Sequence, residues 1–354
     1  MLDFLKIVIY ILGGSVLLTS LLPLIRKDFW TFRVFEFPRA QKWVLNLIVL
    51  IAAMLVFPSD AYFSFGLILF LVVNQGYLSY QIYPYMGFAK KQIDSVSPDA
   101  KPSIKILIAN VLQENRESHK LAEMVDAQQP DVVLLLECNK WWKERCLEAF
   151  GNGYAYQVLE DKENTYGMLL FSKLELRNTK VHHLVKEEIP SIETDILLDN
   201  RLIKLYAIHP EPPVPSENPT STARDTEILM IGEKAKTNQL PTIVAGDLND
   251  VAWSYTTDLF LKVSGLLDPR RGRGFFSSFH AKYYLLRWPL DHVFCSGDFR
   301  LQTIKRMTDI GSDHFPIFLQ LQLANSIDDS GELELSEQES ELSSEKIENG
   351  SQSN

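Results

Sequence analysis

Cysteine is scarce in this chain: its 354 residues include three, Cys138, Cys146 and Cys295. An odd, sparse set builds no disulfide framework, and without a Cys-x-x-Cys pair nothing points to zinc. Such usage suits a reducing compartment, with a single disulfide and one spare thiol as the alternative. Charge is absent from Ile7 to Ile25, and from Trp43 to Ala89 the one charged residue is Asp60. No small-x-small cleavage site follows the first run and more apolar runs come after it, which disfavours a cleaved signal peptide. Excess basic charge is also missing. Of the net −10, residues 326–354 supply −8 and residues 1–100 contribute +2, leaving −4 on residues 101–325. A mildly acidic region holds nucleic acid poorly by charge alone, although that does not exclude a nuclease. There is no internal repeat.

What is present divides the chain into four parts. Residues 1–91 read as a membrane region with three transmembrane helices at 4–25, 43–58 and 61–83, since a span takes about 20 apolar residues. Phe57-Pro58-Ser59-Asp60 divides the last two as the turn of a helical hairpin. Asn74, Gln75 and Gly76, inside the third span, suit helix packing better than transport. Arg26, Lys27, Arg33, Arg39 and Lys42 lie between the first two spans, Lys90 and Lys91 follow the third, and the loop at Asp60 carries no base. The positive-inside rule then predicts a multi-pass protein whose region after Lys90 is cytoplasmic; if either half of the hairpin fails to span, that region is extracytoplasmic. Phe29, Trp30, Phe32, Phe35 and Phe37, interleaved with charge, suit an interfacial aromatic belt. Residues 92–103 read as a polar, proline-marked linker. Residues 326–354, rich in Ser and Glu, are expected to be a disordered acidic tail.

The remaining part, 104–323, alternates strands with helices. Strands are predicted at 104–109, 131–136, 154–159, 167–172, 195–198, 202–208, 243–245, 290–295 and 317–323, and helices at 118–128, 141–150 and 224–234. Several strands follow one another directly, so the sheets should be mixed.

Polar residues sit where the apolar runs end. Asn110 ends the first and Glu137 the second, in Val-Val-Leu-Leu-Leu-Glu. His209 ends another, in Ala-Ile-His-Pro. Asp247 and Asn249 follow in Gly-Asp-Leu-Asn, then Asp291-His292 and Asp313-His314. In extended chain, side chains two apart point the same way, so Asp247 and Asn249 should project together. A buried carboxylate without a partner costs several kcal/mol, so six such islands point to one shared site rather than six separate turns. His292 reads as packing or as a support behind the catalytic groups, and His182, His183 and His280 as surface or packing. In the segment 268–288, Arg270, Arg271, Arg273, Lys282 and Arg287 are interleaved with aromatic residues. That pattern suits single-stranded nucleic acid or a lipid phosphate head, and an anchored chain favours the second.

Six motifs stand in order: Ala109-Asn110-Val111, Leu136-Glu137, Ile208-His209-Pro210, Gly246-Asp247-Leu248-Asn249, Leu290-Asp291-His292-Val293 and Ser312-Asp313-His314-Phe315-Pro316. Together they resemble the endonuclease/exonuclease/phosphatase family, with its deoxyribonuclease I-like fold, over about residues 104–323. The segment His209-Pro210-Glu211-Pro212-Pro213, with the apolar spans, is similar to a bacterial membrane-attached branch of it. The resemblance implies an α/β fold, a four-layer α/β sandwich of two mixed β-sheets flanked by helices, preceded by an all-helical transmembrane region. It implies water attack on a phosphodiester or phosphomonoester assisted by magnesium, or by manganese in its place. By resemblance Glu137 is the main metal ligand, with Asn110 and Asp313 completing the shell. Asp247 would orient or deprotonate the water, and Asn249 would donate to the phosphoryl oxygens. His209 and His314 would stabilise the phosphate or pass a proton, and Asp291 would fix a histidine tautomer. Tyr166, Arg224 and Arg271 are candidate substrate contacts; Tyr166 reads equally as a core tyrosine and Arg224 as a surface ion pair. The implied partners are a phosphate-ester substrate, either nucleic acid or a lipid-linked phosphate, and the lipid of a bacterial inner membrane. No obligate protein partner is evident. The rival reading is a non-catalytic membrane scaffold or receptor that retains the fold.

Overall fold

The computed structural model describes residues 2–57 and 62–352. Pro58, Ser59 and Asp60, which carry the expected hairpin turn, lie outside the described residues. Among the described residues, three helices are long and apolar enough to cross a membrane: α1 (Leu2–Leu21), α3 (Arg39–Val56) and α4 (Tyr62–Ile82), with a short helix α2 (Trp30–Arg33) after the first. Amides join them as anticipated: Asn74 donates to Asn46 at 2.9 Å, and Asn46 donates to Gln75 at 2.7 Å. Lys42 reaches back to the Thr19 carbonyl at 2.9 Å, and Trp43 donates to Ser79 at 2.7 Å. The end of α1, the start of α3 and the end of α4 therefore lie together.

Among the described residues eleven strands follow, and side-chain alternation explains their layering. One sheet runs in the order β10 (Phe299–Arg306), β11 (Ile317–Leu323), β1 (Ser103–Asn110), β2 (Val132–Leu136), β4 (Met168–Ser172) and β3 (Tyr156–Glu160). The other runs β5 (Leu176–His182), β6 (Ser191–Leu198), β7 (Arg201–Ile208), β8 (Thr242–Asp247), β9 (Asp291–Cys295). The pairs β1/β2 and β7/β8 are parallel and the rest antiparallel, so both sheets are mixed as expected. In β1, Ile104, Ile106 and Ile108 meet Leu205, Ile243 and Ala245 of the opposite sheet, while Leu107 and Ala109 face outward. That outer face is covered by α5 (Ser118–Gln128) and α6 (Lys140–Ala149), packed through Leu121, Val125 and Trp142. The second sheet's outer face is covered by α7 (Thr222–Thr237) and α8 (Tyr255–Ser264), through Ile228, Ile231 and Phe260. Strands buried on both faces read as unbroken apolar runs, and the four layers follow from them.

Two segments differ from expectation. Residues 92–103 are not a free spacer: Ile93 is buried in the core between the sheets. Val96 donates to the Leu301 carbonyl at 3.0 Å and Leu301 to that of Asp94 at 2.9 Å, extending the edge at β10. The acidic tail, expected to stay unordered, contains the helix α9 (Glu337–Gln352), which packs on α7. Its single Lys346 is the reason. That ammonium reaches Asp28 at 2.8 Å and Asp225 at 3.1 Å, and the Thr226 hydroxyl donates to the Lys346 carbonyl. Low hydrophobicity argued for disorder, but charge pairing to a buried acid lies outside what composition registers.

Candidate active site

The period of two also assembles the site. Ile108, Ala207, Ala245 and Val293 face the space between the sheets. Continuing the alternation, Asn110, His209, Asp247 and Asp291 take the same side at one end of β1, β7, β8 and β9. Asp247 and Asp291 are register partners. Gly246 (φ +152°) lets β8 lie close to β7, since a Cβ there would sit 1.9 Å from the Ile208 carbonyl oxygen. Glu137 turns out of β2 in the left-handed region (φ +60°), a costly backbone for a glutamate and one that clusters at functional sites.

Asn110 ties the acids together, its amide donating to Glu137 Oε1 at 2.7 Å and Asp247 Oδ2 at 3.1 Å. On the other side, His314 Nδ1 lies 2.7 Å from Asp291 Oδ2, and its Nε2 lies 3.6 Å from Asp247 Oδ2. Burial works against a charged imidazole here, but Asp291 and Asp247 outweigh it and hold the His314 pKa up at about 10. Burial raises the Glu137 carboxyl to about 7, against the opposing hydrogen bond from Asn110 and the charge of His314. His209 is the reverse case: fully enclosed, its pKa is lowered by burial, so the ring is neutral. Its Nδ1 and Asp291 Oδ1 are buried without a hydrogen-bond partner, atoms left over for a ligand or water.

Glu137, Asp247, Asn249, Asp313 and His314 all line one cavity of about 580 Å³. Asn110, Asp291 and His209 stand behind them. Asn249 departs from the expected projection alongside Asp247. It adopts φ +50°, its backbone N–H caps Asp247 Oδ1 at 2.9 Å, and its side-chain amide donates to the Pro210 carbonyl. Tyr166 stacks against His209 with ring centroids 5.6 Å apart, and its hydroxyl is 2.5 Å from Glu217.

Two candidate substrate contacts are corrected. Arg224 is fully buried and not on the surface. It pairs with Asp225 at 2.8 Å and Asp250 at 3.3 Å and donates to the Asn249 carbonyl at 2.8 Å, holding the loop after β8 from behind. Arg271 lies away from the cavity, with Asp258 at 3.2 Å and the Tyr85 ring at 5.8 Å. Other bases of that segment are likewise spent inside the fold: Arg270 on Asp268 and His292, Arg273 on the Ile93 carbonyl. A basic-aromatic string marks a binding face only when its acids lie elsewhere, and for Arg270 and Arg271 they lie beside it. His292, expected to pack or to support the site rather than to act in it, bridges Arg270 and the Asp250 carbonyl.

Sequence reasoning passed over Gln113, whose backbone N–H approaches Glu137 Oε2 at 3.4 Å, and Ser312, whose hydroxyl donates to the Asn110 carbonyl and accepts from the His314 N–H. Ser312 carried a local signal, a serine two residues before a candidate histidine. Trp30, Phe35 and Phe37, read from the sequence as an interfacial aromatic belt, line the same cavity.

Two mixed sheets face to face, with acids and histidines gathered at one end of the gap, define the deoxyribonuclease I-like class of α/β sandwich. A model of the Endonuclease/Exonuclease/phosphatase family matches residues 107–314, and the chain belongs to that family. Its members generally hydrolyse phosphoester bonds. Humanized D. rerio TDP2 shares the fold at 13% identity and a TM-score of 0.52, covering 62% of this chain and 99% of its own. D. rerio TDP2 complexed with a single-strand DNA product gives 15% and 0.52, covering 63% and 100%. A family protein from Bacteroides thetaiotaomicron gives 18% and 0.51, covering 62% and 97%. No curated protein matches the sequence.

Proposed function

We propose that this chain is a membrane-anchored, divalent-metal-dependent phosphoesterase that cleaves a phosphodiester or phosphomonoester by attack of water. The observation that carries the reading is the joining of Glu137, Asn110 and Asp247 by one amide, at a cavity that also admits His314. Asp247, Asp291 and His314 offer three ligand atoms within 4.8 Å of one another. Asp291 does not line the cavity and His314 Nδ1 is engaged by it, so the better cation ligands are the cavity-lining Glu137 and Asp313, with Asn110 beside them. An oxygen-rich set around the half-buried Glu137 carboxylate fits magnesium, and manganese would serve in its place. The bound cation would neutralise charge on the phosphoryl oxygens.

The chain's own groups have distinct tasks. Asp247 is placed to accept a proton from water on the cavity side. The cationic His314 ring faces the same space and stabilises developing negative charge. Asp291 fixes the ring's orientation through Nδ1. His209, neutral and enclosed, supplies a hydrogen bond.

The bases at 26–42 and 90–91 cluster at one end of the three helices and support three membrane spans with the catalytic region cytoplasmic, in a bacterial inner membrane. The direct test is product release by the full chain in detergent micelles, with magnesium and with chelator. Metal-dependent turnover lost in Glu137→Gln and Asp247→Asn is the expected result. A folded chain that turns over no phosphoester would support the scaffold reading instead.

A further inference from the structure

We infer that the phosphoester taken by this site is carried on a membrane lipid and is cleaved while its apolar part stays at the bilayer surface. The inference rests on the phosphoesterase reading above and deepens it. Its starting point is the composition of the cavity. The polar groups gather at its floor, and the walls are Trp30, Phe35, Phe37, Pro213, Phe279 and Trp288. Among the described residues, no Lys or Arg lines it. A polyanionic strand requires bases along its path, because its affinity comes from phosphate neutralisation. An apolar wall around a single acidic floor suits one phosphate attached to a hydrocarbon.

Position supplies the second argument. Trp30, Phe35 and Phe37 belong to the connection between α1 and α3, the end of the apolar helices fixed by Lys42 and Trp43. That connection is docked on the catalytic region: Trp30 donates to the Pro219 carbonyl at 2.8 Å, Ser221 to that of Asp28, and Trp253 to that of Glu36 at 2.9 Å. One wall of the cavity is thus the segment that would lie at the membrane interface.

The third argument is the cavity's rim. Tyr283, Tyr284, Leu285 and Leu286 are exposed by 59%, 78%, 75% and 51%. Four exposed apolar residues in succession on a soluble surface are unfavourable unless something covers them. Gln41, two residues into α3, donates to the carbonyls of Leu285 and Arg287 at 3.1 and 3.2 Å, so this loop stands beside the start of an apolar helix. Leu286 also lines the cavity. Arg287 stacks over Tyr284 at 5.0 Å, a cation beside an exposed ring of the kind that suits a lipid headgroup region. The occupant that covers the loop and continues into the cavity is lipid.

The experiment uses the full chain in phosphatidylcholine vesicles with magnesium. The doped probes are phosphatidic acid as a monoester, phosphatidylglycerol as a diester and polyprenyl diphosphate as an anhydride. p-Nitrophenyl phosphate, bis-p-nitrophenyl phosphate and a single-stranded oligonucleotide are the soluble arms. The expected result is that kcat/KM for one vesicle lipid exceeds every soluble arm. Phe35→Glu should lower it about tenfold or more, the worth of contact with one large apolar side chain, with a smaller effect on the soluble esters. Quenching of Trp30 and Trp288 fluorescence by a brominated lipid phosphate, weakened in Trp30→Phe, reports binding without turnover. Faster cleavage of the oligonucleotide or of a soluble ester would overturn the lipid assignment and leave the phosphoesterase standing. Cleavage of none of them by the folded chain would remove the phosphoesterase reading and the lipid assignment with it.

Discussion

At Glu137 the stability of the fold and the affinity for a cation pull against each other. Its carboxyl is raised from 4.5 to about 7. A raised group contributes stability that is full below its unfolded value and is lost as pH rises through the folded value. The metal-free chain should therefore lose stability between pH 4.5 and about 7 at this residue. A divalent cation replaces the proton, so the rise in Tm on adding magnesium should grow over the same window, and Glu137→Gln should flatten it; thermal scans with and without magnesium measure both. His314 follows the same sign at a higher range, its contribution present below 6.5 and lost as pH rises through about 10. Asp291→Ala removes the partner of a buried charge and should cost about 3–5 kcal/mol in denaturant unfolding. Asp247→Asn keeps the shape and removes the base, and kcat should fall by about 10²–10⁴ with little change in KM. Most of these residues were legible in the sequence because each ends an apolar run. Arg224 and Arg271 were misjudged because a cation's partner depends on where its acids fold. Asp225 adjoins Arg224 in the chain, but Asp250 comes from the loop after β8 and Asp258 from α8.

At the scale of elements, backbone approach decides what substitution is tolerated. Gly246→Ala would drive a methyl into the Ile208 carbonyl, and separating β7 from β8 there should cost more than about 1 kcal/mol of stability and misplace Asp247. Lys346 ties α9 to Asp225 and to Asp28 of the connection after α1. Lys346→Ala should lower stability by about 1–3 kcal/mol, since hydrogen bonds to charged groups are lost from a mostly buried site; chemical denaturation of the full chain reads it. Strand and helix positions at 104–109, 118–128, 131–136 and 317–323 were legible from apolar run and period. β5, β10 and α8 were not. β5 is exposed along most of its length and β10 along part; α8 carried its own signals, Ser254 at its start and Gly265 in the left-handed region at its end, and these were passed over. Edge and amphipathic elements carry weaker patterns than doubly buried strands.

Over the whole molecule, the long apolar helices and the α/β region share a core. Tyr85, at the end of the third apolar stretch, is buried with Val251, Ala252, Trp253 and Leu290, and its hydroxyl donates to the Ala252 carbonyl. A chain beginning at Lys101 would leave those residues uncovered and remove the added edge at β10, so it should melt lower and aggregate unless detergent is present. Gel filtration and thermal scans against the full chain would show the difference. The sequence by itself determined the two-sheet architecture, the apolar helices and the polar ends of the strands, because period and burial act locally and are written residue by residue. Tertiary structure decided that the connection Trp30–Pro38 becomes a wall of the active cavity, that the linker becomes a strand edge, and that the acidic tail closes on Asp225. Each of those is a pairing between segments distant in the chain. Such pairings depend on which charges and apolar surfaces are left unsatisfied once the sandwich has formed, and no local pattern records that.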